Sequence, residues 1–355
     1  MHIPDGYLSP QTCGVLGAAM VPVWLTAGRR VRAVVKTRSV PLVALGAAFS
    51  FLIMLLNLPI PDGTTAHAVG ATLIAVLLGP WAAVIAITIA LLIQALFFGD
   101  GGLLAFGANA LNMAFVMPFA GYAVYRLLAR GAGLTSARRA LAAGAGAYAG
   151  LNAGAFLTAV EFGIQPDLFT RADGTPLYAP FHLAQSIPAM MLAHLTVAGL
   201  VEAALTFGVV AYLQRANLPV LRLNHPEAAA VAARRPGLRW AVAGLGVLLL
   251  LTPLGLLAPG GAFGEDVPAR LDLGRYGLQA VPAGLERWSS FWSHALLGGY
   301  GFASGQHRVL GYLVSAGLGI VLTAGAVAGL FALARLVARR LGGRARVGRV
   351  GEPSP

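Results

Sequence analysis

The sequence predicts an all-α polytopic membrane protein, and three observations carry that prediction. Apolar residues make up 57% of the 355 and charged residues only 11%, whereas soluble domains hold about 45–50% and about 25%. The apolar residues gather into runs of about 20, the length a helix needs to cross a bilayer. The 25 lysines and arginines, which leave a net charge of +12, stand in short blocks between those runs rather than along one amphipathic face. That is the pattern that sets membrane topology, and it argues against nucleic acid as a partner.

Taken in order, the predicted crossings are 11–28, 39–58, 66–79, 81–98, 103–127, 139–162, 183–213, 238–258 and 309–334. The third is short, and Gly79-Pro80 reads as a tight turn into the fourth. With the N-terminus outside and the C-terminus in the cytoplasm, nine crossings leave only Arg171, Arg270, Arg275, Arg287 and Arg308 of the basic residues on the outer side. Merging the third and fourth runs would scramble that bias. The same topology places Asp5, Asp62, Asp100, Asp167, Asp173, Glu265, Asp266, Asp272 and Glu286 outside. Such a mouth concentrates cations, although acidic residues also simply balance an inner positive excess. Residues 1–213 form a seven-span block and 214–237 a basic cytoplasmic linker. Residues 238–349 form a two-span module around a large outer loop, with 350–355 as a tail. Gly146, Gly150 and Gly154 share one face of the sixth span and predict close helix packing.

The opening MHIPDGYLSP has no charged n-region or apolar h-region, so it does not read as a cleaved signal. His2 is too bulky for removal of the initiator residue, so Met1 is expected to remain and offer its amine. The second span delivers His67 to the compartment of His2, through a turn-prone segment containing Pro59, Pro61 and Gly63. The Met1 amine, the residue-2 amide nitrogen and the His2 Nδ1 can close consecutive chelate rings, leaving one in-plane position for His67. Four nitrogens in a plane suit Ni(II) or Cu(II); zinc prefers a tetrahedron and magnesium prefers oxygen. Nickel fits best and cobalt is its nearest competitor. Cys13 is the only cysteine, which excludes a thiolate cage or an intramolecular disulfide. On spacing alone, a solvated terminus and a helix-capping histidine remain equally simple accounts of these two residues.

The segments MHIPDGYLSP, NLPIPDGTTAHAVG, LFFGDGGLLAFGANALNMAF and AMMLAHLTVAGLVEA resemble the CbiM/NikM family. These are the substrate-binding membrane components of cobalt and nickel energy-coupling factor transporters. The resemblance implies a seven-helix metal-binding (S component) bundle, with Met1, His2 and His67 as the metal ligands and Ni(II) or Co(II) as cargo rather than cofactor. It implies a multi-pass protein of a prokaryotic plasma membrane, in contact with membrane lipid. A transmembrane coupling (T) subunit and cytoplasmic ATPase subunits are the implied partners, since the chain has no GxxxxGK[ST] loop of its own. The two-span module resembles the small CbiN/NikN component. There VPAGLERW, 281–288, stands where that family carries a PDGLE-like motif, with Ala283 in place of Asp, which puts metal handling by the motif in doubt. Fusion of the two parts favours nickel, with a cobalt importer serving cobalamin synthesis as the alternative. A membrane scaffold without transport is a further alternative.

An intramembrane hydrolase would need an HExxH pair or a nucleophile with its base, and neither is present, so the chain is not expected to be an enzyme. Gln94, Asp100, Asn109 and Asn112 are candidates either to orient the ligand histidine or to bond helix to helix. Glu161, His194 and Glu202 lie within spans, where ionisable groups are costly and often functional. They are expected to serve packing, gating or subunit contact. His194 and Glu202 are eight residues apart, about 80° around a regular helix. His182, His294 and His307 read as surface residues, and His225 as part of the linker.

Overall fold

A computed structural model describes residues 1–34, 40–60, 64–225, 238–258 and 260–347. Lys36, Arg38, Pro61, Asp62, Gly63, Arg234, Arg235, Arg349 and the tail 350–355 lie outside the described residues.

Helices occupy each predicted stretch. Pro10–Val34 forms α1 and Val40–Met54 forms α2. A two-residue hairpin pairs β1, Leu58–Pro59, with β2, Thr65–Ala66, and leads into α3, Ala71–Leu78. Pro80–Ile93 forms α4, prolonged by a π turn over Gln94–Phe98. The short α5, Phe106–Asn109, runs through a π turn over Ala110–Val116 into α6, Met117–Leu128. Next come α7, Ala137–Gly163, and the single turn α8, Gln165–Leu168. A third π turn, His194–Ala198, joins α9, Leu183–Ala193, to α10, Gly199–Ala216. The second block holds α12, Leu238–Leu251, which tightens to a 3₁₀ turn at Pro253, then the short α13, Ala283–Trp288, and α14, Arg308–Val347.

Among the described residues, six helical stretches are long and apolar enough to cross a membrane: 80–98, 106–128, 137–168, 183–216, 239–257 and 308–337. The protein is therefore a multi-pass membrane protein. The third predicted crossing is corrected in kind. Only eight residues of it are helical, about 12 Å at 1.5 Å per residue, which is less than half of a bilayer's apolar thickness. The rest of the stretch is non-helical backbone, buried from Ala66 to Gly70, and acceptable at such depth because protein encloses it. The turn at Gly79-Pro80 does reverse the chain, since His67 and Asp100 both approach His2 while Gly79 lies beside Asn224.

Small residues let the helices approach closely. A Cβ on Gly146 would stand 2.5 Å from the Gly121 carbonyl, and one on Gly150 would stand 2.5 Å from that of Met117. The predicted glycine face of α7 is thus the seam with α6. Part of the stretch read as linker also packs: Leu218–Arg222 forms α11. His225 is buried there, with its Nε2 2.8 Å from the Tyr125 hydroxyl. The segment between α12 and α14 rests on the earlier part of the chain through α13. The Gly284 and Leu285 amides donate to the Leu177 carbonyl at 2.8 and 3.1 Å, and Leu285 is fully buried. In this chain the VPAGLERW segment is a docking element.

Candidate metal centre

The first nine residues form no regular element before α1 and are held inside the bundle by named bonds. The Asp5 carboxylate accepts the amides of Leu103, Leu104 and Ala105 at 3.1, 2.7 and 3.2 Å. Burial outweighs these bonds and holds the Asp5 pKa above its ordinary value. Asn109 brackets Ile3, accepting its amide at 2.8 Å and donating to its carbonyl at 3.0 Å. The Ser9 amide donates to Gln165 Oε1 at 3.0 Å. Gly101 has φ +76°, and a Cβ there would come within 3.3 Å of His2 Cδ2, so glycine is what lets the loop close over the histidine.

These contacts bring Met1, His2 and His67 together, 2%, 2% and 4% exposed. The two imidazoles lie 5.0 Å apart between centroids, and His2 Nδ1 is 3.2 Å from His67 Nε2. Their other nitrogens decide what those two atoms carry. His67 Nδ1 is 3.1 Å from the Ala68 carbonyl, which can only accept, so Nδ1 holds the proton and Nε2 presents a lone pair. Gln94 donates its amide nitrogen to the Tyr300 hydroxyl at 3.0 Å and to Asp100 Oδ2 at 3.4 Å. That orientation turns Gln94 Oε1 toward His2 Nε2, 3.3 Å away, so Nε2 holds the proton and Nδ1 is bare. Two lone pairs therefore face one another, with Asp100 Oδ1 3.4 Å from the same His2 Nδ1. A proton or a metal ion is what satisfies such an arrangement. Two nitrogens at right angles on one ion, each about 2.0–2.1 Å from it, stand about 2.9 Å apart, close to what is seen.

Side chains alone complete no cage: among the described residues no three His, Cys, Asp or Glu groups cluster to hold a metal. The remaining nitrogen donors at hand are backbone and terminal. The Met1 amine is buried and donates to Glu265 Oε1 at 3.1 Å. A cavity of about 190 Å³ opens beside His2, lined by Asp5, Asp100, Glu265 and Asp266 among others.

The candidate residues divide. Gln94 and Asp100 orient His2 rather than His67. Asn109 holds the hook's backbone, and Asn112 bonds helix to helix, donating to Glu161 Oε2 at 2.7 Å and Thr158 at 3.0 Å. Glu202 touches the loop that carries His67, accepting the Val69 and Gly70 amides. His182, His294 and His307 are exposed. The partners missed from sequence are Glu265, which meets the residue 264 positions before it, and Tyr300, whose hydroxyl donates to Asp100 Oδ2 at 2.5 Å. Burial raises the Tyr300 pKa well above its ordinary value and keeps it a donor. Gln94, Asn112 and His194 all lie in π turns, which are enriched at functional sites.

Comparison with known proteins places the chain in a family. The fused nickel transport protein NikMN of Rhodobacter capsulatus is 51% identical over 354 residues, covering 96% of this chain and all of the relative. A crystal structure of a transition metal transporter is 55% identical with a TM-score of 0.58, covering 64% of this chain and all of that one. A truncated transition metal transporter is 59% identical with a TM-score of 0.57, covering 60% and 98%. Residues 2–219 match the family profile described as the cobalt uptake substrate-specific transmembrane region. The chain, from its buried N-terminal hook to the end of its first block, belongs to the CbiM family.

Proposed function

We propose that this protein is the substrate-capture component of an energy-coupling factor importer for Ni(II), with Co(II) as the second candidate, and that Met1, His2 and His67 hold the ion. The observation that carries this is the pair of bare imidazole nitrogens 3.2 Å apart beside a buried amine. The Met1 amine, the His2 amide nitrogen and His2 Nδ1 close two chelate rings, and His67 Nε2 takes the adjacent fourth position. Displacing an amide proton requires a polarising late transition ion, and four nitrogens in a plane favour Ni(II) over zinc or magnesium. The near full-length identity to a nickel transport protein supports nickel, while the family description supports cobalt.

The acidic cavity beside His2 attracts the cation. Protonated, the Met1 amine pairs with Glu265; deprotonated, it is free to ligate. Gln94 and Ala68 keep the two imidazoles in the tautomers that ligation needs. The site faces the outside of a prokaryotic plasma membrane, with residues 1–213 as the metal-binding block and 238–349 as an N-like module. A transmembrane coupling subunit and an ATPase pair energise transport.

The test is the metal content of purified protein offered equal Ni(II), Co(II), Zn(II) and Cu(II), beside a copy with two residues added before Met1. Near-stoichiometric nickel lost on extension is the expected result. Equal metal in both copies would place the site elsewhere.

A further inference from the structure

The strand and loop that carry His67 need an anchor, because a two-residue hairpin and an eight-residue helix fix little by themselves. The anchor comes from α10. Glu202, with no exposed surface, places Oε2 2.8 Å from the Val69 amide and both carboxylate oxygens 3.0 Å from the Gly70 amide. From the other side, Ser50 Oγ donates to the Val69 carbonyl at 2.7 Å. Gly70 caps α3 with φ +74°, so the Glu202 carboxyl also stands at that helix's N-terminal end. Between these clamps and His67 lies one residue, Ala68, whose carbonyl orients the His67 ring.

The sequence arithmetic that separates His194 from Glu202 by about 80° assumes an unbroken α-helix. The π turn at His194–Ala198 absorbs one extra residue, which leaves about seven regular steps and brings the two residues to within about 20°. That realignment is why both elements meet the same segment. The π turn packs against Thr65–Ala66, and Glu202 reaches Val69 and Gly70 four residues further on.

We infer that Glu202 is the positioning residue that sets His67 Nε2 at the metal, acting through the backbone at 69–70 without touching the ion. The inference rests on His67 being a ligand, and the test separates the two ideas. Full-length protein with its native N-terminus is loaded with Cu(II), whose paramagnetic spectrum reports the remote nitrogen of a bound imidazole. Glu202→Gln, Glu202→Asp and His67→Ala are compared with the parent. Gln keeps the volume but turns a donor toward backbone donors, whereas Asp keeps both acceptors on a shorter arm.

The expected result is loss of the His67 signal and a roughly 10–100-fold weaker affinity in Glu202→Gln, as for other residues that orient a ligand. Glu202→Asp should lie between it and the parent. In metal-free protein, the His67 ring nitrogens should shift in nitrogen-15 spectra of Glu202→Gln, a readout that needs no metal. Parent-like affinity and parent-like His67 signals in folded Glu202→Gln would overturn the inference. If Glu202→Gln does not fold, the same outcome in Glu202→Asp would overturn it. A His67→Ala spectrum identical to the parent's would instead remove His67 from the site, and this inference with it.

Discussion

Substituting Asp5 by alanine should undo the N-terminal hook without altering Met1, His2 or His67. Its carboxylate accepts three amides, the shortest at 2.7 Å from Leu104. Hydrogen bonds to charged groups contribute about 1.5–3 kcal/mol each, and a buried donor left unpaired costs about 1–3 kcal/mol. Set against that is relief from burying the carboxylate, which the raised Asp5 pKa shows to be substantial, but alanine leaves all three amides without an acceptor. The net is about 2–4 kcal/mol lost from docking of residues 1–9.

The sign of the pH dependence follows from the raised pKa. Asp5 supports the docked hook most when protonated, below its unfolded value of 3.8, and that contribution falls as pH rises through the folded value. At neutral pH the hook of Asp5→Ala should open about 30–1000 times more often, since about 1.4 kcal/mol is tenfold. Metal affinity then falls by the fraction of chains that remain docked. The assay is amide hydrogen exchange at Ile3 to Leu8 together with nickel competition titration. Parent-like exchange and an affinity within twofold of the parent would refute the account of the hook.

Three further outcomes are expected. Glu265→Gln removes the anion that competes with metal for the Met1 amine, so nickel affinity at neutral pH should rise about threefold to tenfold, measured by competition titration; a fall would make Glu265 a helper rather than a rival. Tyr300→Phe deletes the donor to Asp100 and the acceptor for Gln94, leaving His2 less firmly oriented, and should weaken nickel about tenfold while costing about 1–2 kcal/mol in thermal unfolding. Gly70→Ala forces a side chain into φ +74° and against Phe49, and should destabilise the fold by about 1–3 kcal/mol, read as a lowered melting temperature.

The helical membrane class was legible because apolar run length is imposed by the bilayer and needs no tertiary knowledge; of the nine predicted crossings, six are matched by helices long and apolar enough to span among the described residues. The glycine seam of α7 was legible for a similar reason, since four-residue spacing on a helix has one geometric meaning. The half-length of α3 was not, because hydropathy cannot tell enclosed extended backbone from helix. The pairing of Met1 with Glu265 depends on how a loop after α12 folds back, and no local pattern encodes it. Glu202 escaped for a subtler reason: its face was computed with a constant 100° step, and the π turn at His194 breaks that step.

The two facing lone pairs at His2 and His67 also say where the cost of building the site falls. Neighbouring electron-rich atoms repel, and the hydrogen bonds that the two imidazoles donate to the Ala68 carbonyl and Gln94 Oε1 are complete before any ion arrives. In the proposed reading, a cation captured between the two rings takes up both lone pairs and needs little new order. Such a site discriminates first by charge and electron affinity, because the donors are already close to their bound spacing. It should change shape little on loading, so in the proposed reading the signal of capture is carried by the Met1 amine, which has to leave Glu265 in the loop between α12 and α14.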